Sequence, residues 1–271
     1  MAYAIDIQKR IIMKLHPSDM NDLRKAKYLL ENPSIAARIT NMLGFPIEKG
    51  MALLPDRWNA KIGEAAQGAL YEALQVAVFT MEDKPGEESS NIWHKLAVAV
   101  SGAIGGFFGI SALAIELPVT TTIMLRSIAD IARSEGERIS ELESRMACIE
   151  VFALGGTSTN NNANKSGYFA IRSELAKAVT EAAEYIMEKG IAEEGAPALV
   201  RMTIQIAERY SVRVTEKMAA QMIPAIGAAG GAAINTIFID HFQDMARGHF
   251  IVRRLEKYYG KDDVRDTYYA I

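Results

Sequence analysis

Two stretches of this chain place chemistry-bearing side chains among apolar neighbours. In "ELPVTTTIMLRSIAD", Glu116 ends a charge-free run, Thr120, Thr121 and Thr122 follow Pro118, and Arg126 and Asp130 stand at i,i+4. That spacing permits an ion pair on one helix face. A glutamate buried there is driven towards its neutral form unless a cation or backbone N–H groups stabilise the carboxylate. Such a cluster could hold a ligand's head group inside an apolar cavity. The plainer expectation is a helix N-terminus, with Glu116 and the threonines taking up free N–H groups and Arg126–Asp130 as a local pair.

The second stretch, "NTIFIDHFQDMARGH", holds Asn235, Asp240, His241, Asp244 and His249. His241 and Asp244 are i,i+3 and share a helix face, the minimum for two ligands to one metal. His249 lies eight residues past His241, about 80° round the helix. The set does not converge, and a metal would need Glu116 or Asp130 from elsewhere, so no metal is expected. The candidate ligand-contacting residues are Glu116, Thr120, Thr121, Arg126 and Asp130 with Asn235, Asp240, His241 and Asp244. No serine-nucleophile elbow, zinc-protease helix motif or phosphate-binding lysine loop is present, which weighs against an enzyme. Nothing points to a cofactor.

The elements that must position these residues are helical throughout, with no period-two alternation over a strand's length. Asn32-Pro33-Ser34 opens a helix that Gly44 ends and Pro46 cannot continue. A long helix follows from about Asp56 to about Met81, with Ile62, Ala65, Ala66, Ala69, Leu70, Ala73 and Ala77 on its small-residue face. Ile139, Leu142, Met146, Ile149 and Ala153 mark another core-facing helix, with Glu141 and Arg145 as an exposed i,i+4 pair. Further helices are expected at about 168–189, 197–222 and 224–259, with a charged, frayed tail after Gly260. Residues 82–91 and the Asn-rich 155–167 read as loops. Residues 3–15 read as a basic amphipathic helix docked on the core, with a membrane surface as the alternative.

Two uncharged segments stand out, Leu96–Ile115 and Met218–Ile239, each about as long as a bilayer span. Gly102 and Gly106, Gly105 and Gly109, and Gly227 and Gly231 form small-residue ridges that allow close helix packing. The two segments are expected to pack ridge against ridge. After Pro118 only seven residues precede Arg126, too few for a return span, so a buried core is favoured over insertion.

The whole chain has 271 residues, 49% hydrophobic and 23% charged, a globular composition read as one all-α domain over 1–271. A net charge of -3 and the lack of a basic stripe argue against nucleic acid as a partner. The lone Cys148 excludes an intrachain disulfide and fits a reducing compartment. The start of the chain lacks a signal-peptide pattern, so a cytoplasmic location is expected, including the inner face of the cytoplasmic membrane.

The blocks "LENPSIAARITNMLGFPIEKGMALLP" (30–55), "ELPVTTTIMLRSIADIARSEGE" (116–137), "CIEVFALGG" (148–156), "SGYFAIR" (166–172) and "HFQDMARGHFIVRRLEKYYG" (241–260) together resemble the EcsC protein family over about residues 30–260. The resemblance implies a bacterial protein of unassigned activity, named for a gene beside a transporter operon. It supplies no catalytic residues, and it implies a membrane-associated role. Together these readings favour an accessory or scaffold protein that binds a membrane surface or a lipid-like ligand. The alternatives are a hydrolase using Glu116, Asp130, Asp240, His241 and Asp244, and a structural partner of a transporter or envelope complex.

Overall fold

The computed structural model describes residues 15–31, 35–44, 47–55, 57–81, 109–154, 167–190, 196–222 and 227–271. They form α1 (Pro17–Glu31), α2 (Ile35–Leu43), α3 (Ile47–Met51), α4 (Trp58–Thr80), α5 (Gly109–Ser134), α6 (Leu142–Glu150), a 3-10 turn (Val151–Ala153), α7 (Tyr168–Lys189), α8 (Pro197–Gln221), α9 (Gly227–Tyr259) and α10 (Lys261–Ala270). The described residues contain no strand. The fold is all-α, as the periodicity requires, and its buried apolar side chains form one contiguous core.

The helices pack as their apolar faces dictate. Ile62, Ala66, Ala69, Leu70, Ala73 and Ala77 of α4 are all buried, against α5 and α8. Small side chains on that face let α5 approach closely. The 33-residue α9 is the spine of the molecule and contacts α1, α2, α5, α8 and α10. Phe238 and Phe242 of α9 meet Phe152 of the 3-10 turn and Tyr210 of α8, with ring centroids 5.2–6.3 Å apart. Tilted and edge-on contacts of this kind add to the area the rings bury.

Several expectations need correction. Glu116 and the threonines do not cap a helix, because α5 runs unbroken from Gly109 to Ser134 with Pro118 inside it. Proline there removes one backbone hydrogen bond and costs about 3 kcal/mol in an isolated helix. Burial of Leu113, Leu117, Met124, Leu125 and Ile128 on one face offsets that cost. The helix expected around Ile139 begins only at Leu142, and Ile139 is buried in the preceding turn. Arg145 does not pair with Glu141. It donates to the carbonyl oxygens of Ile139 (2.6 Å), Val78 (2.6 Å) and Ser140 (3.2 Å), while Glu141 meets Arg138. The tail after Gly260 is not frayed. Gly260 adopts φ +89°, a turn that glycine makes without strain, and α10 folds back to bury Val264, Thr267 and Tyr268.

The other boundaries stand close to expectation: Gly44 follows α2 with φ +66°, and α7 and α8 span almost the residues foreseen. The uncharged segments are only partly described. Gly102, Gly105 and Gly106 lie outside the described residues, as do the 82–91 and 155–166 stretches, Asp56 and the 3–14 segment. Gly109 opens α5, Gly227 opens α9, and the two helices do pack together. Among the described residues no atom lies within 4 Å of where a Cβ on Gly231 would stand, and its foreseen partners Gly102, Gly105 and Gly106 lie outside them. A close approach in α9 is at Gly248, against Ala26 and Leu30 of α1. No helix among the described residues is long and apolar enough to cross a membrane.

Candidate functional site

The residues singled out in the sequence divide between a buried polar seam and the surface. In the seam, Thr121 donates to the Leu117 carbonyl at 2.7 Å and shares a 2.8 Å hydrogen bond with Tyr210 of α8. One turn of α5 earlier, Glu116 accepts from Lys217 Nζ at 2.8 Å. Lys217 is only 3% exposed and its ammonium lies 5.1 Å from the Phe238 ring centroid. Next to it on α8, buried Arg213 donates to both Glu216 oxygens at 2.8 Å. Thr120 Oγ1, Asn235 Oδ1 and His241 Nε2 are buried without a partner among the described residues. Burial, with Arg213 and Arg38 adding, holds His241 neutral and lowers its pKa to about 3.

The remaining members lie elsewhere. Asp130 is exposed and bonds Arg133 at 2.5 Å, and Arg126 is half-buried on the same helix. Asp240 is exposed; Asp244 is held by Arg38 (3.0 Å) and Arg247 (3.2 Å). The acids proposed for a hydrolase therefore face different partners. The described residues contain no group of three His, Cys, Asp or Glu side chains able to hold a metal.

A larger feature lies towards the C-terminal end of α9. An open groove of about 1230 Å³ runs between α6, α7, the end of α9 and α10. Its long wall is one face of α7, where Phe169, Arg172, Ala176, Val179, Ala183 and Met187 recur at helical spacing. The adjacent face of α7, about 100° round the helix, supplies Tyr168, Ile171, Leu175, Ala178, Ala182 and Ile186 to the core. This helix therefore has two apolar faces, one buried and one lining the groove. Leu142, Met146 and Ala147 of α6 complete the apolar lining, and the Tyr269 ring of α10 is tilted against Phe169, with centroids 5.7 Å apart.

Charged groups gather where α7 begins. Arg172 forms a two-pronged ion pair with Glu256 of α9, at 2.8 and 3.0 Å, and donates to Tyr168 Oη at 3.2 Å. Tyr168 in turn bonds Nδ1 of fully buried His249 at 3.0 Å, and burial holds His249 neutral, with Arg172 and Arg253 adding. Arg253 is held by Glu137 (3.0 Å) and Glu143 (3.1 Å). Glu150, at the end of α6, lines the groove while only 8% exposed. Burial raises its pKa; Arg172 and Arg253 oppose this through space rather than by hydrogen bond. Lys261 and Arg265 of α10 complete the basic lining.

None of these groove residues was among the sequence candidates, although the signal was present. Glu150 is the single charge between Arg145 and the end of the 3-10 turn, in "MACIEVFA". The blocks carrying the family resemblance, "CIEVFALGG", "SGYFAIR" and "HFQDMARGHFIVRRLEKYYG", supply Glu150, Tyr168, Arg172, His249, Arg253 and Glu256. The fold brings the two neighbouring blocks and the distant third to one end of one groove.

The described residues thus define an all-α protein with a buried polar seam and an open groove joining charged side chains to an apolar wall. The EcsC protein family model matches residues 18–255, and the chain belongs to that family. The match begins at α1, earlier than the quoted blocks. No curated protein and no solved structure matches the chain.

Proposed function

We propose that this is a binding protein whose ligand is a single-chain amphiphile with an acidic head, seated in the groove between α6, α7 and α10. The observation that carries the reading is the gradient of polarity along α7. Arg172 stands among charged groups at one end, and Ala176, Val179, Ala183 and Met187 continue the wall towards the other, with Ser173, Thr180 and Glu184 also lining it. Fifteen residues of α-helix separate Arg172 from Met187, about 22 Å. An apolar wall with a few polar groups is the usual construction of a ligand cleft, and this one, at about 1230 Å³, exceeds the typical range of about 300–1,000 Å³. The alkyl chain would lie along α7, and the head would meet Arg172, Arg253 and the α10 cations. Such ligands are drawn from membrane surfaces, in keeping with an accessory role at the inner membrane face. The hydrolase reading gains nothing from a site whose carboxylates are either paired with arginine or held apart.

The test is to measure binding of dodecanoate and dodecyl sulfate, below their aggregation concentrations, to the native protein and to Ala176→Trp. Ala176 is exposed on the groove wall, so the indole fills the groove without entering the core. Binding to the native protein that Ala176→Trp weakens at least tenfold supports the reading. No binding of either amphiphile, or binding unaltered by the tryptophan, overturns it.

A further inference from the structure

We infer that the head group is a carboxylic acid, held beside Arg172 and sharing one proton with the carboxyl of Glu150. This rests on the groove being an amphiphile site and goes on to name the head. The charged side chains around the start of α7 differ in whether an opposite charge is bonded to them. Glu137, Glu143, Glu150 and Glu256 bring four carboxyls beside Arg172, Arg253 and Lys257, and Lys261 and Arg265 of α10 line the same groove. Arg172 is taken by Glu256, and Arg253 by Glu137 and Glu143. Lys257 is bonded to Glu137 at 2.9 Å. Among the described residues no cation is bonded to Glu150, which is buried in the groove lining with Arg172 and Arg253 near it.

The groups that face Glu150 are Glu143 from its own helix, Arg172 from α7, and Arg253 and Glu256 from α9. Arg265 of α10 lines the same groove but is engaged by Asp262 and Asp266. A head that cannot take up a proton, such as a sulfate, adds a fixed negative charge and leaves Glu150 alone to take the proton, with none shared. Two carboxyls side by side instead hold one proton between them, because both cannot ionise at close range. A carboxylic acid therefore enters at the cost of one proton taken from solvent. Its remaining charge is met by Arg172 and Arg253, which a cationic head would face with repulsion.

The linkage has a definite sign. Binding takes up a proton only where Glu150 and the free ligand are both ionised, so affinity falls as pH rises through that range. Calorimetry of dodecanoate binding to the intact native protein, in two buffers of different ionisation enthalpy across pH 5.5–9, measures the uptake directly. Dodecyl sulfate and dodecylammonium serve as fixed-charge comparisons, and Glu150→Gln as the variant. The expected result is uptake approaching one proton per dodecanoate and affinity falling up to about tenfold per pH unit at high pH. In Glu150→Gln the uptake disappears, the profile flattens above pH 7, and affinity at pH 8.5 rises. Dodecanoate binding with no proton uptake anywhere in the range overturns the inference, without any need of the variant. So does an undiminished slope in Glu150→Gln, or binding of dodecyl sulfate or dodecylammonium tighter than that of dodecanoate. If none of the three probes binds, or if Ala176→Trp leaves binding unchanged, it is the groove reading itself that has failed.

Discussion

Gly248 is where the packing of this fold leaves least room, and replacing it with alanine tests the packing directly. A Cβ on Gly248 would stand 2.6 Å from Leu30 Cγ, 3.1 Å from Leu30 Cδ2 and 3.1 Å from the Ala26 carbonyl oxygen. Comfortable carbon–carbon contact is about 3.5–4.0 Å, so the overlap with Leu30 is about 1 Å. Cγ is the branch point of a buried side chain, and the Ala26 oxygen belongs to the backbone of α1. Turning a terminal methyl relieves neither contact. Overpacking of this kind costs about 1–3 kcal/mol. Alanine in place of a mid-helix glycine returns up to about 1 kcal/mol. The net expectation is a loss of about 1–2 kcal/mol, seen in a thermal melt as a Tm lower by about 2–8 °C for a chain of this size. Gly68→Ala, on the exposed side of α4 with no atom within 4 Å of the new Cβ, should instead raise Tm by a few degrees. In a Leu30→Ala background, Gly248→Ala should lose most of its cost, a coupling of about 1 kcal/mol. If Gly248→Ala raises Tm as Gly68→Ala does, the close crossing of α1 and α9 is refuted.

Other outcomes follow from the same contacts. Glu116→Gln should destabilise the protein by about 2–4 kcal/mol, because it leaves the buried ammonium of Lys217 without its counter-ion. Lys217→Met should cost less, since Glu116 is 25% exposed and can turn to water; chemical denaturation of the two variants reads the order. The buried histidines impose a pH dependence. His241 titrates near about 3 when folded against 6.5 when unfolded, so its contribution is complete above about pH 6.5 and is lost as pH falls towards 3. Burial alone would raise Glu137, but hydrogen bonds from Arg253, Ser144 and Lys257 outweigh it and bring its pKa from 4.5 to about 2. That contribution is present above about pH 4.5 and is lost between there and about pH 2. The urea midpoint should therefore fall from near pH 6.5 and more steeply below 4.5, and a flat midpoint from pH 7 to 4 would contradict this. Arg172→Lys should weaken dodecanoate binding several-fold, since an ammonium cannot reproduce the two-pronged pair with Glu256; titration calorimetry measures it.

The sequence disclosed helices more readily than it disclosed the site, for physical reasons. Helical periodicity and the glycine at 44 are local signals, and α7, α8 and the buried face of α4 follow from them. Pro118 misled because its local preference was outweighed by burial along α5, which no local pattern contains. The polar seam was half legible. Glu116 and Thr121 stood out in an apolar run, but their partners Lys217 and Tyr210 lie about a hundred residues away. The tail after Gly260 looked frayed because it is charged, yet its Val264, Thr267 and Tyr268 share one face and are buried. The groove was not read at all. Phe169, Ala176 and Ala183 resemble an ordinary core stripe, and only the placement of α6 and α10 leaves that stripe open.

The most direct test of the groove as the functional site is photo-crosslinking with a dodecanoate analogue carrying a diazirine near the end of its chain, followed by mass mapping of the labelled peptides. The account places the label on α7 between Ala176 and Met187 and on the facing residues Leu142 and Met146 of α6, and excess unlabelled dodecanoate removes it. Label concentrated instead on the exposed apolar side chains Phe79, Ile115 and Val119, away from the groove, would contradict the account.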